Sequence, residues 1–291
     1  MSTTARIAAV SAILFAVTAA NATEPTEAWR ATGFELPESV SWDGEREVFY
    51  VSNIAGSPME ADGNGYISRL GADGAVLDLK WVEGLDAPKG TDVAGGKLYV
   101  SDLTQLVEID TASGEITGRY PAEGAVFLND VVVAPDGRVF VADTFGNAIF
   151  VLDGGAMSAW VKDDPGLIGP NGLTVVDGAL VVSELGDASQ GFENLKPGTV
   201  KAIDLATKEV TVFGTPDAIG GLDGIEPTGD GGVTVIDNPG GRLLEVQPGS
   251  AAVEIFAPGS GAADHEFVPN LGLLIIPNLQ QGTVVAYNTA P

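Results

Sequence analysis

The fold of this chain can be deduced from residues 128–152, which read LNDVVVAPDGRVFVADTFGNAIFVL. Short runs of apolar and β-branched residues alternate here with polar breaks. The pair Asp136-Gly137 separates the first two runs and is typical of a tight turn. The second run ends in Val141-Ala142-Asp143, and a third run follows within a few residues. The stretch therefore predicts consecutive short β-strands.

The same pattern occurs six times along the chain, at intervals of 41 to 53 residues. Each copy follows a Gly-containing turn, ends in Asn, Asp or Glu, and precedes a third β-run and, in most units, a fourth. The copies are Val51-Ser52-Asn53, Val100-Ser101-Asp102, Val141-Ala142-Asp143, Val182-Ser183-Glu184, Val235-Ile236-Asp237 and Ile276-Pro277-Asn278. This repetition indicates six equivalent structural units.

Four short strands in a unit of roughly 40–50 residues are typical of a β-propeller blade. The sequence therefore predicts an all-β protein, a six-bladed propeller over residues 23–291 with four-stranded blades. The last unit lacks a fourth strand, and segment 28–34 is available to supply it and close the ring. A pair of β-sandwiches would not explain six equivalent units, and the unit is too long for a rung of a β-helix.

The composition restricts the function. The 291 residues contain 14 Lys and Arg against 40 Asp and Glu, a net charge of −26, with one His and no Cys. This charge repels phosphate backbones and anionic lipid headgroups, so we expect no nucleic-acid or membrane-surface partner. The missing cysteines exclude disulfides, thiolate metal sites and cysteine nucleophiles, and a single histidine excludes multi-histidine metal sites. Oxygen ligands and carboxylate chemistry remain.

The N-terminus has the features of an export signal. Arg6 precedes an apolar run over residues 7–20, and Ala20-Asn21-Ala22 matches an A-x-A cleavage pattern. The run is shorter than the roughly 20 residues that span a bilayer. An uncleaved anchor or a buried N-terminal helix is the alternative. We predict that residues 1–22 are a signal peptide and that the mature protein is periplasmic or secreted, with no membrane attachment.

A ring of residues is expected around the channel. The first strand of each propeller blade lines the central channel, so equivalent positions at its start face one another. Counting back 13 to 15 residues from the recurring Asn, Asp or Glu locates this position in each unit. The predicted ring is Glu38, Lys89, Asn129, Asn171, Asp223 and His265.

Four members of this ring carry side-chain oxygens. Two carboxylates and two amide oxygens in one narrow space are unfavourable without a cation. Such a set suits Ca²⁺ best, although Mg²⁺, Mn²⁺ and Zn²⁺ stay open. The predicted ligands of one divalent cation are Glu38, Asn129, Asn171 and Asp223. The alternative is that these residues cap strand starts through Asx-type turns.

Two units are longer than the others. Their additional residues, about 54–65 and 185–198, lie between the second and third strands, at the end of the propeller where the ring lies. In a six-bladed ring the first and fourth blades are opposite each other. We therefore expect two loops that wall the mouth above the cation, as functional loops on rigid scaffolds do. Neutral surface insertion is the alternative.

The segments around the ring carry a family resemblance. Residues 36–43, 128–131, 169–173 and 222–225 resemble the senescence marker protein, gluconolactonase and luciferin-regenerating enzyme family. The pattern is also similar to the six-bladed paraoxonases and diisopropylfluorophosphatase, and it covers about residues 30–288. The resemblance implies that Glu38, Asn171 and Asp223 bind a divalent metal and that Asn129 is a ligand or a substrate contact. It also implies that Asp223 is a general base or a nucleophile.

The other two ring residues have less certain roles, and the alternatives stay open here. The phosphotriesterase branch of the resemblance implies that His265 and Glu226 hold a second, structural calcium; an acid–base role is the other reading of His265. Lys89 is expected either to bind substrate hydroxyls or carboxylate, or to turn away and pair with Asp86 or Asp92.

These observations predict an exported, divalent-metal-dependent hydrolase of a small lactone or ester. We expect it to be a monomer whose partner is a small-molecule substrate. Phosphotriester hydrolysis at the same cation is a related alternative. A non-enzymatic, calcium-stabilised propeller used for binding is an alternative from another class.

Overall fold

The computed structural model describes residues 25–289 as a β-propeller of six four-stranded antiparallel blades. Strand β1 (Thr26–Thr32) precedes blade 1, which contains β2 (Pro37–Asp43), β3 (Val48–Asn53), β4 (Gly65–Gly71) and β5 (Val76–Leu85). Blade 2 contains β6 (Pro88–Ala94), β7 (Lys97–Asp102), β8 (Gln105–Asp110) and β9 (Ile116–Pro121). Blade 3 contains β10 (Leu128–Val133), β11 (Val139–Asp143), β12 (Ala148–Asp153) and β13 (Ala156–Lys162). The predicted signal peptide lies outside the described residues.

The second half of the chain continues the pattern. Blade 4 contains β14 (Pro170–Val176), β15 (Ala179–Glu184), β18 (Val200–Asp204) and β19 (Val210–Val212). Its long loop holds the two-stranded pair β16 (Gly186–Asp187) and β17 (Lys196–Pro197) and a 3₁₀ turn, η1 (Phe192–Asn194). Blade 5 contains β20 (Leu222–Pro227), β21 (Val233–Asp237), β22 (Arg242–Val246) and β23 (Val253–Phe256). Blade 6 contains β24 (Glu266–Val268), β25 (Leu273–Asn278) and β26 (Thr283–Asn288).

The N-terminal strand closes the ring, as predicted. Strand β1 pairs antiparallel with β26, from Thr26 opposite Asn288 to Thr32 opposite Thr283, and completes blade 6. Trp29 on β1 packs against Phe49 of blade 1 and donates its indole N–H to the carbonyl of Ala72 at 3.2 Å. The closing strand therefore joins blade 6 to blade 1 through side chains as well as through its ladder.

The apolar core lies between neighbouring blades rather than within one layer. Phe49, Val51 and Leu70 of blade 1 are buried in one cluster with Ile275 and Ala286 of blade 6. Clusters of the same kind join blades 1 and 2, 3 and 4, and 4 and 5. Alternating strand residues face the two neighbouring blades, which explains the strongly apolar central strands. Within residues 25–289, no helix is long and apolar enough to cross a membrane.

The recurring acid of each second strand fixes the loop before its own blade. Asp102 Oδ1 accepts the backbone N–H groups of Asp86 and Ala87 at 2.9 and 2.8 Å. Asp143 accepts those of Val126 and Phe127 at 3.0 and 2.7 Å. These bonds hold the chain where it enters the first strand and so set the position of the ring residue that follows.

Candidate functional site

Strand register places five predicted ring residues at equivalent positions. In blades 1 to 5 the ring residue directly follows the residue that pairs with the recurring Asn, Asp or Glu, and the register shifts at this point. The pairs are Pro37 with Asn53, Pro88 with Asp102, Leu128 with Asp143, Pro170 with Glu184, and Leu222 with Asp237. The residues they define are Glu38, Lys89, Asn129, Asn171 and Asp223.

The sixth position is occupied by Ala263 and not by His265. In blade 6, Ala262 bridges to Asn278, so the equivalent residue is Ala263 and His265 lies two residues farther along. The counting failed because the turn between β24 and β25 has four residues, whereas the turn between β6 and β7 has two. The placement of His265 in the ring was therefore wrong.

His265 is instead a fully buried interior residue. Its Nε2 lies 2.8 Å from the Thr234 hydroxyl, whose Oγ1 also lies 3.4 Å from the backbone carbonyl of Glu226. Burial lowers the pKa of His265 to about 3, so the imidazole is neutral. Its Nδ1 has no hydrogen-bond partner among the described residues.

Two of the predicted ligands have unpartnered oxygen atoms. Glu38 and Asn171 are 6% and 4% exposed. The Asn171 amide donates to the carbonyl of Leu222 at 3.1 Å, but Asn171 Oδ1 and Glu38 Oε2 accept no hydrogen bond from any described residue. A buried oxygen without a partner loses the free energy of its hydration. A hard cation would restore it, so the donor set fits a divalent metal.

Asp223 is held beside these oxygens by amide groups. Asn238 Nδ2 donates to Asp223 Oδ2 at 2.9 Å. Burial raises the pKa of Asp223 to about 6, and hydrogen bonds from Asn238 and Asn171 oppose this rise. Burial also raises the pKa of Glu38 well above its ordinary range, and the negative charges of Asp223 and Asp264 add to the effect. The carboxylates thus repel each other, as expected of a site that needs a positive charge.

Among residues 25–289, no group of three or more His, Cys, Asp or Glu side chains is arranged to hold a metal ion. The predicted ligand set contains only two such residues, Glu38 and Asp223, and depends on the amide oxygens of Asn129 and Asn171. The metal centre therefore remains a prediction.

Lys89 adopts a position that differs from one of its two expected arrangements. Its ammonium group is buried, donates to the carbonyl of Ala87 at 3.0 Å and lies 4.2 Å from the centre of the Phe127 ring. Burial lowers the pKa of Lys89 to about 8, while the charge of Glu38 raises it. Within the described chain Lys89 forms no ion pair with Asp86 or Asp92, so the pairing considered from the sequence is not formed.

Two kinds of supporting residue were missed in the sequence. Asn238, which orients Asp223, directly follows the recurring Asp237. Ser101 and Ser183 precede the recurring acid, and their hydroxyls donate to the ring carbonyls of Asn129 and Asp223 in the next blade. The position of each relative to the repeat is the signal that could have found them.

A second, acidic cavity of about 180 Å³ lies mostly farther along the first strands. Its carboxylates come from blades 2, 3, 5 and 6: Asp92, Asp130, Glu226, Asp264 and Glu266. Burial raises the pKa of Glu226 well above its ordinary value, and Glu266 and Asp264 add to the rise. The sequence indicated only Glu226, because the other four carboxylates meet there only in the folded chain.

The long loops of blades 1 and 4 connect second to third strands, as expected, and lie at the ring end. The blade 4 loop borders two adjoining cavities of about 340 and 290 Å³, which share Ile168, Gly186 and Asp187. The larger cavity is also lined by Thr144 and Phe145 of blade 3. The mouth therefore has a shaped side wall between blades 3 and 4.

The chain resembles solved structures of propeller enzymes. A gluconolactonase of Xanthomonas campestris is 18% identical, with a TM-score of 0.65 over 92% of this chain and 96% of that one. A second, putative gluconolactonase is 20% identical, with a TM-score of 0.66 over 91% and 92%. A streptogramin B lyase is 13% identical, with a TM-score of 0.61 over 91% and 96%.

No protein-family model and no curated protein matches the chain. Likenesses at 20% identity or below establish the fold and leave the chemistry to the site. The chain therefore shares its six-bladed architecture with gluconolactonases, in agreement with the resemblance of its ring segments.

Proposed function

We propose that this protein is a divalent-metal-dependent hydrolase of lactones or esters. The observation that carries the proposal is the pair of buried, unpartnered oxygens, Glu38 Oε2 and Asn171 Oδ1, at ring positions equivalent to that of Asp223. A bound dication would act there as a Lewis acid that polarises a carbonyl oxygen. Glu38, Asn171 and Asp223 would hold it, with Asn129 as a further ligand or a substrate contact.

Asp223 is the proposed general base. It is the one carboxylate of the ring that is only half-buried, and Asn238 fixes the orientation of its carboxyl group. A carboxylate in this position can remove a proton from an attacking water molecule. Direct attack by the carboxylate is the alternative that the family resemblance implies.

Lys89 is proposed to bind the substrate. Its ammonium group has one protein acceptor, the carbonyl of Ala87, and has at least two N–H bonds left for other acceptors. It can therefore donate to an ester oxygen or to the carboxylate that hydrolysis releases. The adjacent Phe127 ring keeps this group out of bulk water.

A lyase reaction is a weaker candidate. Replacement of a histidine by alanine makes the virginiamycin B lyase of Staphylococcus aureus catalytically inactive. Here the single histidine, His265, is fully buried and does not occupy the ring position. These facts favour hydrolysis at Asp223 over a histidine-dependent elimination.

The test is metal-dependent turnover. Chelator-treated protein is assayed on lactones, aryl esters and phosphotriesters with Ca²⁺, Mg²⁺, Mn²⁺ or Zn²⁺ added back. We expect activity on a lactone or ester that Asp223→Asn and Glu38→Gln reduce by at least about 100-fold. Asp92→Asn in the deeper cavity is the matched control and should leave the metal requirement unchanged.

Two outcomes would contradict the proposal. Faster turnover of phosphotriesters than of any lactone or ester would favour the phosphotriesterase alternative. Metal-dependent thermal stabilisation without turnover of any substrate would favour a binding propeller in which the cation is structural.

We further propose export. N-terminal sequencing of protein recovered from the periplasm or medium should begin at Thr23, after the Ala20-Asn21-Ala22 pattern. Retention of residues 1–22 would indicate an anchor instead.

A further inference from the structure

Three phenylalanines connect the channel to the surface on the side of blades 3 and 4. Phe127 lies against the ammonium group of Lys89, with Nζ 4.2 Å from the ring centre. The Phe127 and Phe145 ring centres are 4.7 Å apart, and those of Phe145 and Phe192 are 6.2 Å apart. Phe192, on the long loop of blade 4, is 65% exposed. We name these residues the aromatic series.

The exposed apolar side chains are distributed unevenly. Because neighbouring strands are antiparallel, loops between second and third strands and loops between blades lie at the same, mouth end. Five large apolar residues exposed by more than a third are in such loops: Leu36, Met59, Val126, Ile168 and Phe192. The others in the described chain are on outer strands of blades 1, 4 and 5, apart from Leu271 in the turn before β25. The mouth is thus the apolar end of a strongly acidic protein.

The 340 Å³ cavity lies along the aromatic series. Phe145, Phe192 and Ile168 supply its apolar wall. Its volume is within the range of small-molecule binding pockets. Because Phe127 contacts both Lys89 and Phe145, this wall is continuous with the proposed substrate-binding side of the channel.

The polar groups that line this cavity are mostly engaged within the protein. Asn147 Oδ1 accepts the backbone N–H of Gly169 at 2.7 Å, and Asp187 pairs with Lys196 at 2.7 Å. A polyhydroxylated sugar ring would need several free donors and acceptors to replace its hydration. The wall offers few of these, and instead offers aromatic and aliphatic surface.

We infer that the substrate is a lactone or ester with an apolar alkyl or aryl group, which packs against Phe145, Phe192 and Ile168 while its carbonyl lies in the ring. This inference rests on the proposed hydrolase function and names its substrate class. Phe145 and Phe192 are then specificity-determining residues, and Lys89 receives the polar end of the same molecule.

The first test is a series of δ-lactones with alkyl chains of zero to eight carbons, assayed with the metal-loaded enzyme. We expect kcat/KM to rise with chain length. Phe192→Ser and Phe145→Ser should lower kcat/KM for the longest chain by about tenfold or more and leave the unsubstituted lactone unchanged. Val253→Ser is the control, since Val253 is 61% exposed on an outer strand. Equal kcat/KM along the series, or a preference for gluconolactone, would overturn the inference.

A binding measurement separates this inference from the proposed function. A 2-alkylcyclopentanone cannot be hydrolysed and keeps the carbonyl and the chain. Calorimetric binding that weakens at least tenfold in Phe192→Ser would support the wall even if no lactone is turned over, and only the hydrolase proposal would then fail. If the ketone does not bind and Phe192→Ser instead abolishes self-association or binding to lipid vesicles, another occupant covers the wall and the inference is wrong.

Discussion

Asp143 shows what the recurring acid does at the scale of one residue. Its two carboxylate oxygens accept the N–H groups of Val126, Phe127 and Gly146, at 3.0, 2.7 and 3.2 Å. The acid therefore ties the loop before β10 and the turn after β11 to one side chain. Blades 2 and 4 repeat part of this arrangement with Asp102 and Glu184.

Loss of the Asp143 carboxylate should destabilise the blade. In Asp143→Ala the buried N–H of Phe127 loses its acceptor, which we expect to lower the free energy of unfolding by about 2–4 kcal/mol. Asp143→Asn keeps one acceptor oxygen and should cost less than half as much. Urea unfolding of the three proteins measures the difference, and equal losses in both variants would contradict the assigned bonds.

The histidine illustrates the limit of residue counting. The sequence correctly located ring residues in five blades because their first hairpins differ by only one or two residues. In blade 6 the same count reached His265, since the longer turn after Val268 cannot be recognised without the strand pairing. The orientation of Lys89 was equally inaccessible, because it depends on Phe127 from the next blade.

At the scale of the element, the first strands approach each other closely around the channel. The residue after the ring position is glycine in blades 2, 4 and 5: Gly90, Gly172 and Gly224. A Cβ on Gly172 would collide with the backbone carbonyl of Asp223 and lie 2.6 Å from the Ser183 hydroxyl. Glycine is therefore required here for packing and not for a turn.

Gly172→Ala should displace the strand that carries Asp223. We expect a loss of about 1–3 kcal/mol in unfolding free energy and weaker metal binding, because the carbonyl of Asp223 must move. Gly44→Ala is the control, since its nearest neighbour is a flexible part of the Trp42 side chain at 3.3 Å. Urea unfolding and calorimetric metal titration measure both effects, and an unchanged metal affinity in Gly172→Ala would contradict the expected displacement.

The strands themselves were largely predictable. Third-strand runs expected at 148–152 and 200–204 are observed as β12 (Ala148–Asp153) and β18 (Val200–Asp204). Apolar runs between glycine turns define such strands locally. The β16–β17 pair and the aromatic series were not predicted, because their contacts join a loop of blade 4 to side chains of blade 3.

At the scale of the whole molecule, part of the net charge of −26 is buried. The deeper cavity gathers five carboxylates from four blades without a basic residue in its lining. Burial raises the pKa of Asp92 to about 6 and that of Asp264 to about 7. The folded protein therefore binds protons more tightly at these groups than the unfolded chain does.

Stability in chelator should consequently fall between pH 4 and pH 7. The Asp92 pKa rises from 3.8 to about 6 on folding, so its contribution is present below about pH 4 and is lost as the pH passes 6. Asp92→Asn removes this group while Asp130, Glu226, Asp264 and Glu266 remain. Over this range the wild type should lose about 1–3 kcal/mol more than the variant. Parallel pH profiles from urea unfolding would contradict the prediction.

The pairing of β1 with β26 has a consequence for the order of assembly. The bonded residues Thr26 and Asn288 are 262 positions apart, so the segment synthesised first finds its partner last. Until then the growing chain carries an unpaired strand at its start and an incomplete blade at its end. A second chain in the same condition offers equivalent edges. Ring closure is thus a race between the two ends of one molecule and the ends of its neighbours, and dilution should favour the closed monomer.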